Sequence, residues 1–579
     1  MKILFNLPRK KPSPSMGWRS YLAQILLLIC LGILVSRAIF LQILDKDFLQ
    51  QQGQSRYERI VNQNMQRGSI TDRNGKILAV SAPVKSAWFE PHKVNVTPEQ
   101  IKQLSNLTGV KETVIQKRLN SDKKFVYLKR KLPPELAEQI AELNIEGMHL
   151  KHEFYRYYPA REQAAHILGF TDIDGRGQEG IELAWQDKLT GADGKRRVIK
   201  DRVGRIVEDI ELIQSPKPGQ DVVLSIDSKI QYLAYRELAR AVKKQRAKSG
   251  SIVALDVQTG EILAMANYPA FNPNRRASIN YEVIRNRVLI DTFEPGSTIK
   301  PFTVAAALEV GLIEPNMRME TAGGKLQIGK ATIHDVSDKG NLTVSQIIQT
   351  SSNVGAAKIG LLLSQQTFWE MLNRSGFGAV TGVGFPGEAR GRLRAYDTWR
   401  PIEQATMSYG YGISVSLMQL ARAYTLFATD GELKPITLLK RDMPAIGQKI
   451  ISRETAYSVR KMLELAVQPE GTGNSARVNG YRVAGKTGTA HKRLDSQKGY
   501  ATNRYISSFV GFAPASDPRV IIAVMIDEPS NGDYYGGTVA APVFGQVMES
   551  TLRMLNVPFD ESLGNLVVSP TATELEGQG

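Results

Sequence analysis

Cysteine is almost missing, because Cys30 is the sole residue of its kind in 579. No internal disulfide and no cysteine-ligated cluster can form, which excludes a disulfide-stapled secreted module and a zinc ribbon. Histidine is scarce too: there are six, and none falls in the HExxH spacing of a helix-borne zinc site. Chemistry without a bound metal or cofactor is therefore expected. Acidic residues are absent from the first 44 positions, which hold Lys2, Arg9, Lys10, Lys11, Arg19 and Arg37. The rest of the net charge of +17 is spread over more than 500 residues with no arginine-rich block. That distribution argues for a basic leader beside a membrane and against nucleic-acid binding. No repeat with a period of about 20–50 residues exists, so solenoids and propellers are excluded. With 23% charged and 42% hydrophobic residues, wholesale disorder and fibrous structure are excluded as well.

What the chain does have is a long apolar run, Tyr21 to Leu44, interrupted by one charge at Arg37. Its 24 residues of helix suffice to cross a bilayer core of about 30 Å. A cleaved signal peptide would carry a shorter apolar region ending in a small-residue cleavage site, so an uncleaved anchor is expected. Five basic residues precede the run and should keep the N-terminus cytoplasmic. Residues 1–20 then form a cytoplasmic tail and 21–44 a single transmembrane helix in the inner membrane. Everything beyond lies in the periplasm, where neither ATP nor NADH is supplied.

Residues 45–218 mix short β-rich runs, hairpin signals at Arg73-Asn74-Gly75 and Asp172-Ile173-Asp174-Gly175, and an amphipathic stretch from Glu135 to Leu143. They read as an extended pedestal, closed by the breaker Pro216-Lys217-Pro218-Gly219. Residues 219–555 open with a strand at Val222 to Ile226 and a helix capped by Asp227. Strands follow at Ser251 to Val257 and Glu261 to Asn267, then helices at Pro301 to Leu312, Val344 to Leu363 and Leu417 to Ala428. Strands near Arg482 to Ala484, Tyr505 to Phe512 and Val520 to Asp527 lead to a last helix, Ala541 to Leu555. The order predicts an α+β fold: an antiparallel sheet flanked by helices, with an all-helical insert. Residues 556–579 are acidic and poor in apolar side chains, so a disordered tail is expected.

Two glycine motifs are decoys. Gly480 to Thr487 fits GxxxxGK[ST], but Tyr481 to Ala484 alternates like a strand and no helix opens after Lys486-Thr487. Gly382 to Gly387 fits GxGxxG, yet the turn-rich Arg390-Gly391-Arg392 stands where a dinucleotide fold needs a long helix. Neither is expected to bind nucleotide.

In Glu294-Pro295-Gly296-Ser297-Thr298-Ile299-Lys300 a turn leads into an apolar run, so Ser297 sits at the first turn of a helix with Lys300 on the same face. A lysine buried there beside other positive charge is pushed toward the neutral amine and can take the serine proton. Ser351-Ser352-Asn353 and Lys486-Thr487-Gly488-Thr489 follow in order. SxxK, then SxN, then KTG is the ordered set of acyl-serine enzymes that react with β-lactams.

On these residues the chain resembles the class B penicillin-binding proteins, most closely the division-specific D,D-transpeptidases of the FtsI type. The resemblance extends through Arg67 to Gly75, Arg156 to Gly169 and Gly177 to Glu182, which are similar to pedestal motifs of that class, and through Ser408 to Gly412 and Ser507 to Gly511. The elongation-specific relatives would show SxD and KSG, so Asn353 and Thr487 favour division. The resemblance implies a serine-type D-Ala-D-Ala transpeptidase crosslinking the stem peptides of septal peptidoglycan and inhibited by β-lactams. Ser297 would be the nucleophile, Lys300 the general base, Ser351 a proton relay and Lys486 an electrostatic partner. Asn353, Thr487, Gly488 and Thr489 would bind substrate, with the amides of Ser297 and Thr489 facing the oxyanion. A membrane-embedded SEDS glycan polymerase of the FtsW type and other division proteins are the implied partners. A β-lactamase or carboxypeptidase, or a penicillin-sensing receptor, would use the same three motifs, but the hydrolases would need neither anchor nor pedestal.

Overall fold

Trp18–Ile39 forms an α-helix that continues as a π-turn over Phe40–Leu44, and its apolar side chains stand exposed along the whole length. It is the one helix among the described residues long and apolar enough to cross a membrane. The computed structural model describes residues 17–48, 58–63, 65–200, 206–275, 280–493 and 499–561. Most of the expected cytoplasmic tail, and residues 562–579 of the expected disordered tail, lie outside them.

The chain divides into two compact units. The first, Met1–Met65 with Ala192–Lys217, contains the apolar helix and a three-stranded antiparallel sheet of Glu58–Gln63, Gly194–Lys200 and Ile206–Gln214. The second, Gln66–Gly191 with Pro218–Gly579, holds all the motif residues. Residues 66–191 therefore belong to the same unit as the catalytic residues, and the reason is visible in their contacts. Asp72 accepts from the Ser228 amide at 3.2 Å, Arg73 pairs with Glu261 at 3.1 Å, and Asn74 donates to Asp227 at 2.9 Å. The hairpin predicted at Arg73-Asn74-Gly75 thus braces the helix Ser228–Lys244, which Asp227 caps through the amides of Lys229 and Ile230.

The central sheet is antiparallel throughout, in the order Ile262–Tyr268, Ser249–Asp256, Val520–Asp527, Tyr500–Ala513, Ala484–Arg493. Ser249–Asp256, Ile262–Tyr268 and Val520–Asp527 are buried on both faces and rich in apolar side chains, alternate ones serving different cores, whereas the edge strand Ala484–Arg493 carries the polar third motif. Ile252, Val524 and Ile526 pack with the helices Ser228–Lys244 and Ala541–Met554. Val253, Ala523 and Met525 pack with Phe302, Leu420 and the rest of the helical insert.

Several boundaries differ from expectation. The strand at Val222 covers only Val222–Val223, after which Leu224 bridges to Leu439. The helix after Ser297 spans Lys300–Glu309. Val344 to Leu363 is not one helix: Ser351, in the left-handed region at φ 63°, splits it into Val344–Thr350 and Asn353–Leu362. Leu417 to Ala428 likewise breaks at Tyr424. The last-motif strand starts at Ala484 and runs to Arg493, so Lys486-Thr487-Gly488 lies within it. The helical insert is not purely helical, since it carries short ladders such as Lys325–Ile328 with Ala331–His334, closed by Gly329 at φ 58°. The first residues of the expected tail are held in place. Tyr481 donates to the Val557 carbonyl at 2.7 Å and packs at a tilt on the Phe559 ring, 4.9 Å between centroids, and Asp560 accepts from the Arg482 amide at 2.7 Å.

Candidate active site

Three separate pieces of chain meet at one cleft of about 480 Å³. Ser297, Ser351, Asn353, Thr487 and Thr489 line it. Lys300 and Lys486 lie beneath, fully buried. Every residue expected at the site is thus brought together, although the three motifs span 190 positions of sequence between Ser297 and Lys486.

Ser297 sits on a 3₁₀ turn, Gly296–Ile299, that feeds the buried helix Lys300–Glu309. The turn is clamped from several directions. The Thr298 hydroxyl donates to the Pro295 carbonyl at 2.8 Å, Tyr424 donates to the Thr298 carbonyl at 2.9 Å, and the Gly296 amide donates to the Gly410 carbonyl at 3.2 Å. Gly410 is at φ 94°, and a Cβ there would lie 2.0 Å from the Gly296 carbonyl oxygen, so only glycine lets the two backbones approach. Gly488 is required for the same reason, since a Cβ would meet the Ser508 hydroxyl at 2.3 Å and the Pro295 carbonyl at 2.8 Å.

Lys300 Nζ donates to the Ser351 carbonyl at 2.6 Å, the Ser351 hydroxyl at 3.1 Å and Asn353 Oδ1 at 2.9 Å. None of these bonds goes to Ser297, so the lysine is anchored on the second motif. Burial holds its pKa well below the ordinary lysine value, and the nearby Lys486 charge pushes the same way against the opposing pull of Asp335. Lys486, also lowered by burial, to about 7, makes only long contacts, 3.3 Å to the Thr487 hydroxyl and 3.5 Å to that of Thr472. The glycines of the P-loop decoy have other reasons: Gly480 is at φ 81°, and Gly485 lies in the strand, where a Cβ would strike the Phe509 ring at 2.5 Å.

Sequence reasoning missed Asp335. It follows the small strand Ala331–His334 and accepts from the Ser352 hydroxyl at 2.6 Å, from the Val354 amide at 3.0 Å and from the Asn353 amide. One carboxylate thereby caps the helix Asn353–Leu362 and aims the second motif at Lys300. No local pattern around Asp335 signals this, because its partners are a helix away in sequence. Thr472, whose hydroxyl lies 2.9 Å from that of Thr487, was missed too; Gly471-Thr472-Gly473 reads only as a turn.

Known proteins resemble the chain in sequence and fold. Residues 250–549 match the family model described as the penicillin binding protein transpeptidase domain, and residues 62–224 match the penicillin-binding protein dimerisation domain. The probable peptidoglycan D,D-transpeptidase PenA of Neisseria meningitidis serogroup A is 42% identical over 95% of this chain and 94% of its own. The peptidoglycan D,D-transpeptidase FtsI of Escherichia coli K12 is 40% identical over 94% and 93% respectively. The transpeptidase-domain structure of Burkholderia pseudomallei penicillin-binding protein 3 is 50% identical, covers 58% of this chain and 98% of its own, and has a TM-score of 0.54. With the catalytic fold, the ordered motifs and both domain matches in place, the chain belongs to the penicillin-binding protein transpeptidases of class B, the division-type FtsI and PenA proteins among them.

Proposed function

We propose that the chain is a peptidoglycan D,D-transpeptidase of the division septum, anchored in the inner membrane with its catalytic unit in the periplasm. One observation carries the chemistry: a fully buried lysine, Lys300, held by Ser351 and Asn353 on the helix that Ser297 opens, with a second buried lysine, Lys486, beside it. An ammonium at Lys300 would satisfy three acceptors with its three N–H bonds. On losing one proton it keeps two and gains a lone pair, and the Ser351 hydroxyl can then turn to donate to it.

In that state Lys300 takes the proton of Ser297, whose oxygen attacks the carbonyl of the penultimate D-alanine in a donor stem peptide. The amides of Ser297 and Thr489 stabilise the oxyanion. Ser351 passes the proton to the departing D-alanine nitrogen, and an acyl-serine ester remains. Thr487 and Thr489 hold the substrate carboxylate against the Lys486 charge, and Asn353 holds the stem-peptide amide. Gly488 lets the strand lie close to the nucleophile turn. An amine of a second stem then attacks the ester and forms the crosslink, exchanging one amide for another without external energy. A β-lactam enters by the same route and stays as a slow ester.

The septal assignment rests on similarity to the division-type relatives and on Asn353 and Thr487 in the second and third motifs. The basic flank ahead of Trp18–Leu44 supports the orientation. A glycan polymerase of the FtsW type within the membrane, with other division proteins, is the proposed partner set.

The activity is tested by incubating the full-length protein in detergent with a D-alanyl thioester donor and a D-amino acid. A transfer product with the D-amino acid attached is expected. Hydrolysis alone would mean a carboxypeptidase or β-lactamase, and a stable ester without turnover would mean a receptor.

A further inference from the structure

The second half of the reaction brings an acceptor amine to the acyl chain already held on Ser297, and the cleft around Ser297 accounts for that donor chain. A second cavity of about 630 Å³ lies beside it, and Tyr409 and Tyr411 line both. They form a wall between the two spaces, and that wall is fastened to the nucleophile, since Gly410 between them accepts the Gly296 amide. The edge strand links the spaces as well. Alternate side chains of a strand share a face: Thr487 and Thr489 line the first cavity and His491 the second.

The second cavity has a definite chemistry. Three phenol rings stand in a row, with centroids 5.8 Å apart from Tyr409 to Tyr411 and 5.3 Å from Tyr411 to Tyr500. Burial raises the pKa of Tyr409 to about 12 and that of Tyr500 as well, so both stay neutral. At the rim Glu403 is held ionised, its pKa lowered to about 2 by the Arg400 amide and the Arg400 and Arg394 guanidiniums. On the nucleophile loop, Glu294 accepts the Gly412 amide at 3.0 Å and the Tyr500 hydroxyl at 3.2 Å on one oxygen, while its other oxygen is buried with no partner among the described residues. Glu403 is already paired with Arg394 and Arg400 and burial pushes the Glu294 carboxyl up, so what the cavity offers an incoming amine is the tyrosine faces and the unpartnered Glu294 oxygen.

We infer that the cavity walled by Tyr409, Tyr411 and Tyr500 is the subsite for the amine-bearing end of the acceptor stem peptide, next to the ester on Ser297. The inference rests on the transpeptidase reading above. The acceptor arrives as a primary ammonium over the tyrosine faces and loses one proton to solvent. Its nitrogen attacks the ester carbon, a C–N bond forms and the C–Oγ bond breaks. The second nitrogen proton passes through Lys300 to the Ser297 oxygen. Tyr500 and Glu294 act here as positioning residues.

The test uses full-length protein, the same thioester donor, and two acceptors: D-alanine, too small to need the cavity, and an N-acetylated tripeptide with one free side-chain amine. Thr502→Trp fills the cavity from an exposed position on its rim, and Tyr500→Ala removes one wall. In both variants the tripeptide KM should rise about tenfold or more with kcat little changed, the mark of lost ground-state binding. In Thr502→Trp, penicillin acylation and transfer to D-alanine should stay within about threefold of the wild type. An unchanged tripeptide KM in Thr502→Trp would overturn the subsite. A fall in penicillin acylation parallel to the loss of tripeptide transfer would also overturn it, because the variants would then act through general damage. If the wild type itself yields only hydrolysis with both acceptors, the transpeptidase reading fails first.

Discussion

Asp335 belongs to no motif, yet two donors of the second motif and the Val354 amide that follows it converge on its carboxylate. Asp335→Asn keeps the shape and removes the charge, weakening charge-assisted bonds worth about 1.5–3 kcal/mol each. Penicillin acylation should fall about tenfold or more, because Asn353 and Ser351 lose their register on Lys300. The thermal transition should move only a few degrees, and a stopped-flow acylation rate equal to the wild type would refute the role. The two lysines make a second prediction. In the proposed mechanism Lys300 is neutral when it accepts a proton, so acylation should rise with pH as it deprotonates. In the same mechanism Lys486 is charged when it binds the substrate carboxylate, and burial lowers its pKa to about 7, so acylation should fall as pH climbs through that value. The second-order rate constant against pH is therefore bell-shaped. Lys486→Arg, whose guanidinium does not titrate in this range, should lose the falling limb even if the overall rate drops. The same falling limb in that variant would assign it to another group.

At the scale of elements, the pedestal motifs meet at one buried carboxylate. Arg67 and Arg156, 89 positions apart in sequence, approach Glu182 at 2.5 and 2.6 Å, and all three are nearly excluded from solvent. Removing one partner of such a cluster leaves uncompensated buried charge at a cost of about 3–5 kcal/mol. Glu182→Gln should lower the melting temperature clearly while the acylation rate per folded molecule stays at the wild-type value. A lowered rate at full occupancy of the fold would place this network in catalysis. Much of this was legible in sequence, and the limits are instructive. The strands Ser249–Asp256, Ile262–Tyr268 and Val520–Asp527 announce themselves by apolar runs because both faces are covered, and the polar edge strand Ala484–Arg493 does not. The capped helix at Asp227 and the ordered motifs were readable since their signals are local. The break at Ser351 was not, because apolar periodicity continues through it. What interrupts the helix is the left-handed Ser351, whose carbonyl Lys300 holds, followed by Ser352, whose hydroxyl Asp335 holds. The packing of Val557 and Phe559 was hidden for the same reason: a short apolar pair in an acidic tail shows nothing of Tyr481, some 80 residues earlier.

Over the whole molecule, an exposed apolar helix and a small sheet belong to one unit, and residues 66–191 brace the unit that carries the cleft, where the proposed covalent step takes place at Ser297. That step is also the part of the account most open to direct refutation. Ser297 is only partly buried in the cleft, and its hydroxyl makes no hydrogen bond among those described, so deleting it should cost less than about 1 kcal/mol of stability. The decisive measurement is the intact mass of the full-length protein and of Ser297→Ala after incubation with benzylpenicillin, with peptide mapping of any adduct. The wild type should gain one penicilloyl group, carried by the peptide that contains Ser297. The variant, melting within a few degrees of the wild type, should gain none. An adduct on the folded Ser297→Ala protein, or one mapped to a different serine in the wild type, would contradict the assignment of the nucleophile.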